Sequence, residues 1–396
     1  MATRSSDGRY LALAAVTGLL LLNFWAWSLL SPLAPTYASE LRLSPFAISA
    51  LLATPVIVGS LGRLPLGALT DKYGGRRIFA VICFLASLPT AYLAFAGSYA
   101  ELAVAAFFIG IAGASFAVGV PFVNAWFPRE KRGFALGLFA MGNAGTAISG
   151  LLTPRLSEQF SRPSTFLLVA ASLVIAGGLM MLKGRDAPSW KPSRAPMRAS
   201  LIQAAAWPQA RKLAIIYAVT FGAFVAFGLY LPILLRVVYH LEITDAGAKA
   251  AGFVVLATLA RPVGGWLSDK LGGAAILRAV LLTAAGLAAI AALNPSLMPF
   301  GTIVYLSLAI VLGLGNGAVF AVIGHLCDPK RVGSVTGIVG AAGGLGGFFP
   351  PLLMGASYQL FHSYSLALLL FTATCLILLP VTFGLGSQRY LATKRT

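Results

Sequence analysis

Two arginines stand inside long apolar stretches of this chain, and each heads the same run of residues. Arg63 opens RLPLGALTDKYGG and Arg261 opens RPVGGWLSDKLGG, with a Gly at +4 (Gly67, Gly265), an Asp at +8 (Asp71, Asp269) and a Gly pair at +11 and +12 (Gly74 and Gly75, Gly272 and Gly273). With the Asp at a membrane edge, the 1.5 Å rise of a helix puts each guanidinium roughly 12 Å further in, near the middle of a hydrocarbon core about 30 Å thick. A charge at that depth costs on the order of 2.5–3.5 kcal/mol, which makes it a functional candidate by default. The eleven acids, from Asp7 and Glu40 to Asp269 and Asp328, and the three histidines, His240, His325 and His362, all fall at segment ends or in loops. The interior therefore carries two positive charges, no negative one and no group that titrates near neutrality. A ligand must bring the missing negative charge, and the planar fork of a guanidinium suits a planar oxyanion bonded through two oxygens.

Other side chains lie near the same depth. Asn143, in GLFAMGNAGTAISG, is an amide about ten residues inside its apolar segment and can both donate and accept hydrogen bonds. Tyr217 and Phe221 are one turn apart on one helix face, and the tyrosine hydroxyl must either bond a backbone carbonyl or face a cavity. In GIVGAAGGLGGFFPP, Gly343, Gly344, Gly346 and Gly347 bring no side chains, so the helix backbone itself can form a narrow pocket wall for a small ligand. Phe116 and Phe320 recur in the GASFAV and GAVFAV runs and are candidates for an aromatic sandwich.

The elements that position these residues follow from composition. Of 396 residues 58% are hydrophobic and only 10% charged, which no soluble domain matches. Twelve apolar segments can be marked, at about 10–31, 44–69, 78–98, 100–124, 133–153, 164–183, 213–235, 247–267, 275–294, 298–324, 333–356 and 364–386. The expected fold is an all-α membrane protein with twelve transmembrane helices in two pseudo-symmetric six-helix bundles, residues 1–184 and 212–396, joined by a polar, Pro-rich linker at 185–211. Excluding the two buried arginines, 22 of the 29 Lys and Arg lie on the side that holds both termini and five on the other, which predicts cytoplasmic termini in a plasma membrane. The net charge of +18 is topological rather than a nucleic-acid footprint, because no basic run is interleaved with aromatics. Cys83, Cys327 and Cys375 have no paired spacing, so neither a disulfide framework nor a metal is expected. No cofactor is called for, and no nucleophile with a base or pair of acids shares one depth, so an enzyme is not expected.

The G-x3-D-x2-G-G loops, with Arg76 and Arg77 trailing the first, resemble the signature of the major facilitator superfamily over both halves of the chain. Arginine in helices 2 and 8, the Asn-containing Gly-rich helix 5, the Gly-rich helix 11 and Tyr-x3-Phe in helix 7 together resemble the nitrate/nitrite porter family. The resemblance implies that Arg63 and Arg261 clamp the anion, that Asn143 and Tyr217 are polar contacts and that Phe221 shapes the site. One departure is Met141-Gly142-Asn143-Ala144-Gly145, where the family more often has Met after the Asn, which bears on preference between anions. The implied function is a monomeric carrier of nitrate and nitrite, working by alternating access in nitrate assimilation. Rival readings are a proton-coupled symporter and an exchanger of organic anions of the oxalate/formate sort.

Two expectations concern the transport cycle. Asp71 and Asp269, beside basic loops and helix N-termini, are expected to act as gates. Two guanidiniums about 8 Å apart repel by roughly 2 kcal/mol at an effective dielectric of about 20. An empty carrier would thus reorient slowly and a loaded one readily, which favours nitrate/nitrite antiport over proton coupling.

Overall fold

The structure is a computed structural model that describes residues 2–128, 132–188, 190, 192, 197–326 and 332–385; these are helical or in short connections, with no strand among them. Helix 1 runs as Ala2–Trp27 and Leu30–Glu40, helix 2 as Pro45–Tyr73, helix 3 as Gly75–Tyr92 and helix 6 as Arg162–Lys183. Helix 4 joins Tyr99–Ile109 to Ser115–Trp126 through a 3₁₀ stretch, Gly110–Ala114. Helix 5 joins Arg132–Ala140 to Gly145–Gln159 through another, Met141–Ala144. A short helix, Met197–Ala206, precedes helix 7, Pro208–Tyr239. Helices 8, 9 and 10 are Ile243–Leu271, Gly273–Ala292 and Thr302–Leu326. Helix 11 is Val332–Gly346 followed by Phe349–Phe361, and helix 12 is Ser365–Ile377 followed by Leu379–Phe383.

Among the described residues ten of these helical stretches, all but helices 3 and 5 of the expected twelve, are long and apolar enough to cross a membrane. Large apolar side chains remain on their outer faces, with Leu182 82% and Ile377 72% exposed. Water would not tolerate so many, and lipid requires them.

Local chemistry sets the helix ends. Helix 7 starts five residues before its apolar run because Pro208 fits the first helical turn, where its missing N–H removes no bond. It stops at left-handed His240, whose N–H bonds Leu235 O. Helix 4 opens on a reciprocal cap in which Ser98 accepts from Glu101 N–H and the Glu101 carboxylate accepts from Ser98 N–H at 2.9 Å. The repeated Gly pairs have a physical reason. Gly74 and Gly272 take φ of 87° and 89°, a conformation costly to a side chain, at the turns into helices 3 and 9. The second glycines, Gly75 and Gly273, lie against Phe122 of helix 4 and Val322 of helix 10, where a Cβ would collide.

The contacts group into two units. One comprises Met1–Leu43, Leu51–Met197 and Leu241–Ala251, the other Ser44–Ala50, Arg198–His240 and Gly252–Thr396. In the first, helix 2 meets the 3₁₀ stretch of helix 4 through Gly59 against Gly110 and Gly62 against Ala114. In the second, Gly313 and Gly317 of helix 10 press on the backbone of Ala257 and Arg261 in helix 8, and Gly222 of helix 7 presses on Gly346 of helix 11. Such small-residue contacts let helices approach closely where lipid supplies no hydrophobic drive for association.

Candidate functional site

In the first unit, the close approach of helices 2 and 4 carries Arg63 alongside the 3₁₀ stretch Gly110–Ala114. A 3₁₀ turn replaces the regular i−4 ladder and leaves carbonyls available to outside donors. Arg63 Nη2 donates to Gly113 O at 3.5 Å, and the residue is 8% exposed. Asn143 sits in the other 3₁₀ interruption, that of helix 5, and is 1% exposed. Its Nδ2 donates to Ala140 O at 2.7 Å, while its buried Oδ1 has no hydrogen-bond partner. Asn143 therefore stands in a 3₁₀ stretch of its own helix, and Arg63, within the continuous helix 2, stands beside one in helix 4.

In the second unit, helices 7 and 11 are drawn together at Gly343, where a Cβ would run into the Tyr217 ring and meet Phe221 Cδ1 at 3.1 Å. The Tyr217 and Phe221 rings stack at 4.9 Å with 10° between their planes, and Phe320 of helix 10 meets Tyr217 edge-on at 5.0 Å. Tyr217 and Phe221 are 3% and 4% exposed. The Arg261 guanidinium lies 5.3 Å from the Phe221 centroid and 4.7 Å from that of Phe224, and is within electrostatic reach of the Tyr217 hydroxyl. Among the described residues Arg261 has no carboxylate partner, and its buried Nε and Nη2 have no hydrogen-bond partner. The two rings steady the cation and accept none of its N–H groups, so the Nε and Nη2 donors remain for an oxyanion.

Of the expected residues, Arg261, Tyr217, Phe221 and Gly343 thus converge within one unit, while Arg63 and Asn143 are both buried in the other. Gly344 lies one residue from the Tyr217 contact, its carbonyl accepting from Gly347 N–H at 3.0 Å. Phe320 joins the cluster, whereas Phe116 packs against Phe139 at 5.4 Å within the first unit. The Asp71 side chain lies outside the described residues, and Asp269 is exposed at the last turn of helix 8. Phe224 was not expected from the sequence. Its signal was the i+3 spacing from Phe221, which places it on the same helix face.

The chain has relatives both in sequence and in fold. The Major Facilitator Superfamily profile matches residues 16–351. A Mycobacterium tuberculosis protein described as a probable nitrate/nitrite transporter, NarK2, is 43% identical over 374 residues, covering 93% of this chain and 95% of the relative. A Bacillus subtilis protein described as a nitrite extrusion protein is 37% identical, covering 88% and 87%. A Thermus thermophilus protein described as a probable nitrate/nitrite antiporter, NarK1, is 32% identical, covering 84% and 81%. The fold matches the crystal structure of a bacterial homologue of the human lysosomal transporter Spinster, with a TM-score of 0.76 at 17% identity over 98% of this chain and 97% of that one. A profile that spans most of the chain, together with relatives above 30% identity over most of their own length, places the sequence in a group of multi-pass membrane transporters: the chain belongs to the nitrate/nitrite porter family of the major facilitator superfamily.

Proposed function

We propose that the protein exchanges nitrate for nitrite across a plasma membrane by alternating access. The observation that carries this reading is the state of Arg261: buried guanidinium edges, two phenyl rings on its faces and no carboxylate partner among the described residues. The names of the relatives supply the anions, and the charge inventory supplies the reason that an anion is needed at all. Arg63, held at its Gly113 contact, is the symmetry-related cation, and the repeat of the two arginine runs argues that both act on one anion. Asn143 and Tyr217 add polar contacts, Phe221 shapes the site, and Gly343 and Gly344 keep it narrow. The count of Lys and Arg on the two sides supports cytoplasmic termini. Asp71 and Asp269, at the ends of helices 2 and 8, are assigned to gating, and the working unit is a monomer.

Coupling follows from charge. Two guanidiniums without an anion repel, and expelling water from around them raises that repulsion. An anion between them turns the penalty into attraction, so the return stroke also needs an anion. Every acid and histidine lies at a segment end or in a loop, so none is placed in the interior to let a proton take its place.

Titration of nitrate into purified protein tests the site. The parent binds, and Arg261→Lys, which keeps the charge and loses the fork, binds at least tenfold more weakly while remaining folded. Parental affinity in the lysine variant would falsify the role given to the guanidinium.

A further inference from the structure

Asn316, in the GLGNGAV run of helix 10, is 1% exposed, and neither its Oδ1 nor its Nδ2 has a hydrogen-bond partner. A buried amide left so costs free energy unless something else completes it. Its neighbours on the helix fix where it points. Gly315 lies between Val280 of helix 9 and Thr220 of helix 7, with Val280 Cγ1 at 2.7 Å and Thr220 Cγ2 at 3.2 Å from the place of a Cβ, and Gly317 lies against the Arg261 carbonyl. Phe320, one turn along, meets Tyr217. Successive helical residues turn by about 100°, so Asn316 falls between the direction of Gly315 and that of Phe320. The amide is therefore turned to the side of helix 10 on which Phe320 meets Tyr217 of helix 7, the helix whose Phe221 and Phe224 rings carry the Arg261 guanidinium.

Thr220 gives the second observation. Several buried threonines turn their hydroxyls back on the helix, as Thr70 does to Leu66 O, Thr90 to Ala86 O and Thr258 to Val254 O. Thr220, 1% exposed, does not, and its Oγ1 has no partner. Asn316, Thr220 and the Nε and Nη2 of Arg261 together hold more N–H and O–H donors than acceptors, beside a full positive charge. A neutral polar ligand would leave that excess unanswered, whereas the oxygens of an anion answer it.

We infer that Asn316 and Thr220 complete the anion site of the C-terminal half, with the Asn316 amide N–H and the Thr220 hydroxyl donating to the oxyanion held by Arg261. The inference rests on the anion-carrier reading above. It makes Asn316 the C-terminal counterpart of Asn143, so that each half supplies one arginine and one buried amide.

The test separates a ligand contact from a packing residue. Asn316→Leu removes an uncompensated buried amide at nearly constant volume, so the anion-free variant melts at or above the parental temperature while its nitrate Kd, measured by titration calorimetry, rises about tenfold. Thr220→Val raises it a few-fold. Asn316→Asp, similar in size but carrying a charge that pairs with Arg261, loses nitrate binding. Parental nitrate affinity in Asn316→Leu overturns the inference; if that variant does not fold, parental affinity in Asn316→Asp overturns it. A parent protein that binds no nitrate overturns the inference together with the function it rests on, whereas a parent that binds and variants that bind equally overturn the inference alone.

Discussion

The Arg261 guanidinium carbon lies over the Phe224 ring, 4.7 Å from its centroid, with the Phe221 centroid at 5.3 Å one turn back on the same helix. Two rings hold the charge in the place of a carboxylate, and that choice matters. A carboxylate would neutralise the arginine and compete with a substrate anion, whereas a ring face steadies the cation and leaves its N–H edge for the ligand.

Phe224→Leu is therefore expected to keep the fold and weaken nitrate binding. Loss of one ring of a partly buried cation–π pair amounts to roughly 0.5–1 kcal/mol, or about a two- to fivefold rise in Kd. Calorimetric titration reads it directly, and an unchanged Kd would mean that the rings only fill space.

Gly343 makes a sharper case, because its missing side chain is what admits Tyr217. Gly343→Ala must move the ring or part helices 7 and 11, at an expected cost of about 1–3 kcal/mol in stability. Nitrate binding falls with it, since the displaced ring is stacked on Phe221 and thereby tied to Arg261. A thermal-shift series against nitrate separates the two effects. Gly343→Ala with parental melting and parental affinity would contradict the geometry.

The sequence made the charged part of the site legible and left much of its support hidden. Arg63 and Arg261 stand out because a charge in an apolar run is costly, and Asn143 and Tyr217 because their depth matches. Phe224 did not stand out, since its i+3 spacing from Phe221 is a weak signal among many phenylalanines in apolar helices until an arginine is seen above it. Asn316 was within reach of the same depth argument, lying ten residues from the end of helix 10 as Asn143 lies about ten from the start of helix 5. The 3₁₀ stretches at Gly110–Ala114 and Met141–Ala144 were less accessible, because small residues are common in membrane helices and only their packing shows where the ladder changes. The reason for the repeated Gly pairs also came from conformation, through the positive φ of Gly74 and Gly272.

The proposed gating role falls on the repeated acids. Asp269 stands at the last turn of helix 8, where a carboxylate faces an unfavourable helix dipole and needs positive partners to be stable. Asp71→Asn and Asp269→Asn are each expected to loosen closure on the side of the termini. Cysteine labelling from that side rises in such variants; unchanged labelling would count against the assignment.

Exchange itself is best tested by flux. Purified protein in liposomes loaded with nitrite should take up labelled nitrate rapidly, and the same liposomes without an internal anion should take up very little, whether or not acid is imposed outside. Rapid uptake into anion-free liposomes driven by an inward proton gradient would contradict the account, because every acid and histidine lies at a segment end or in a loop and none is in the interior to carry that proton.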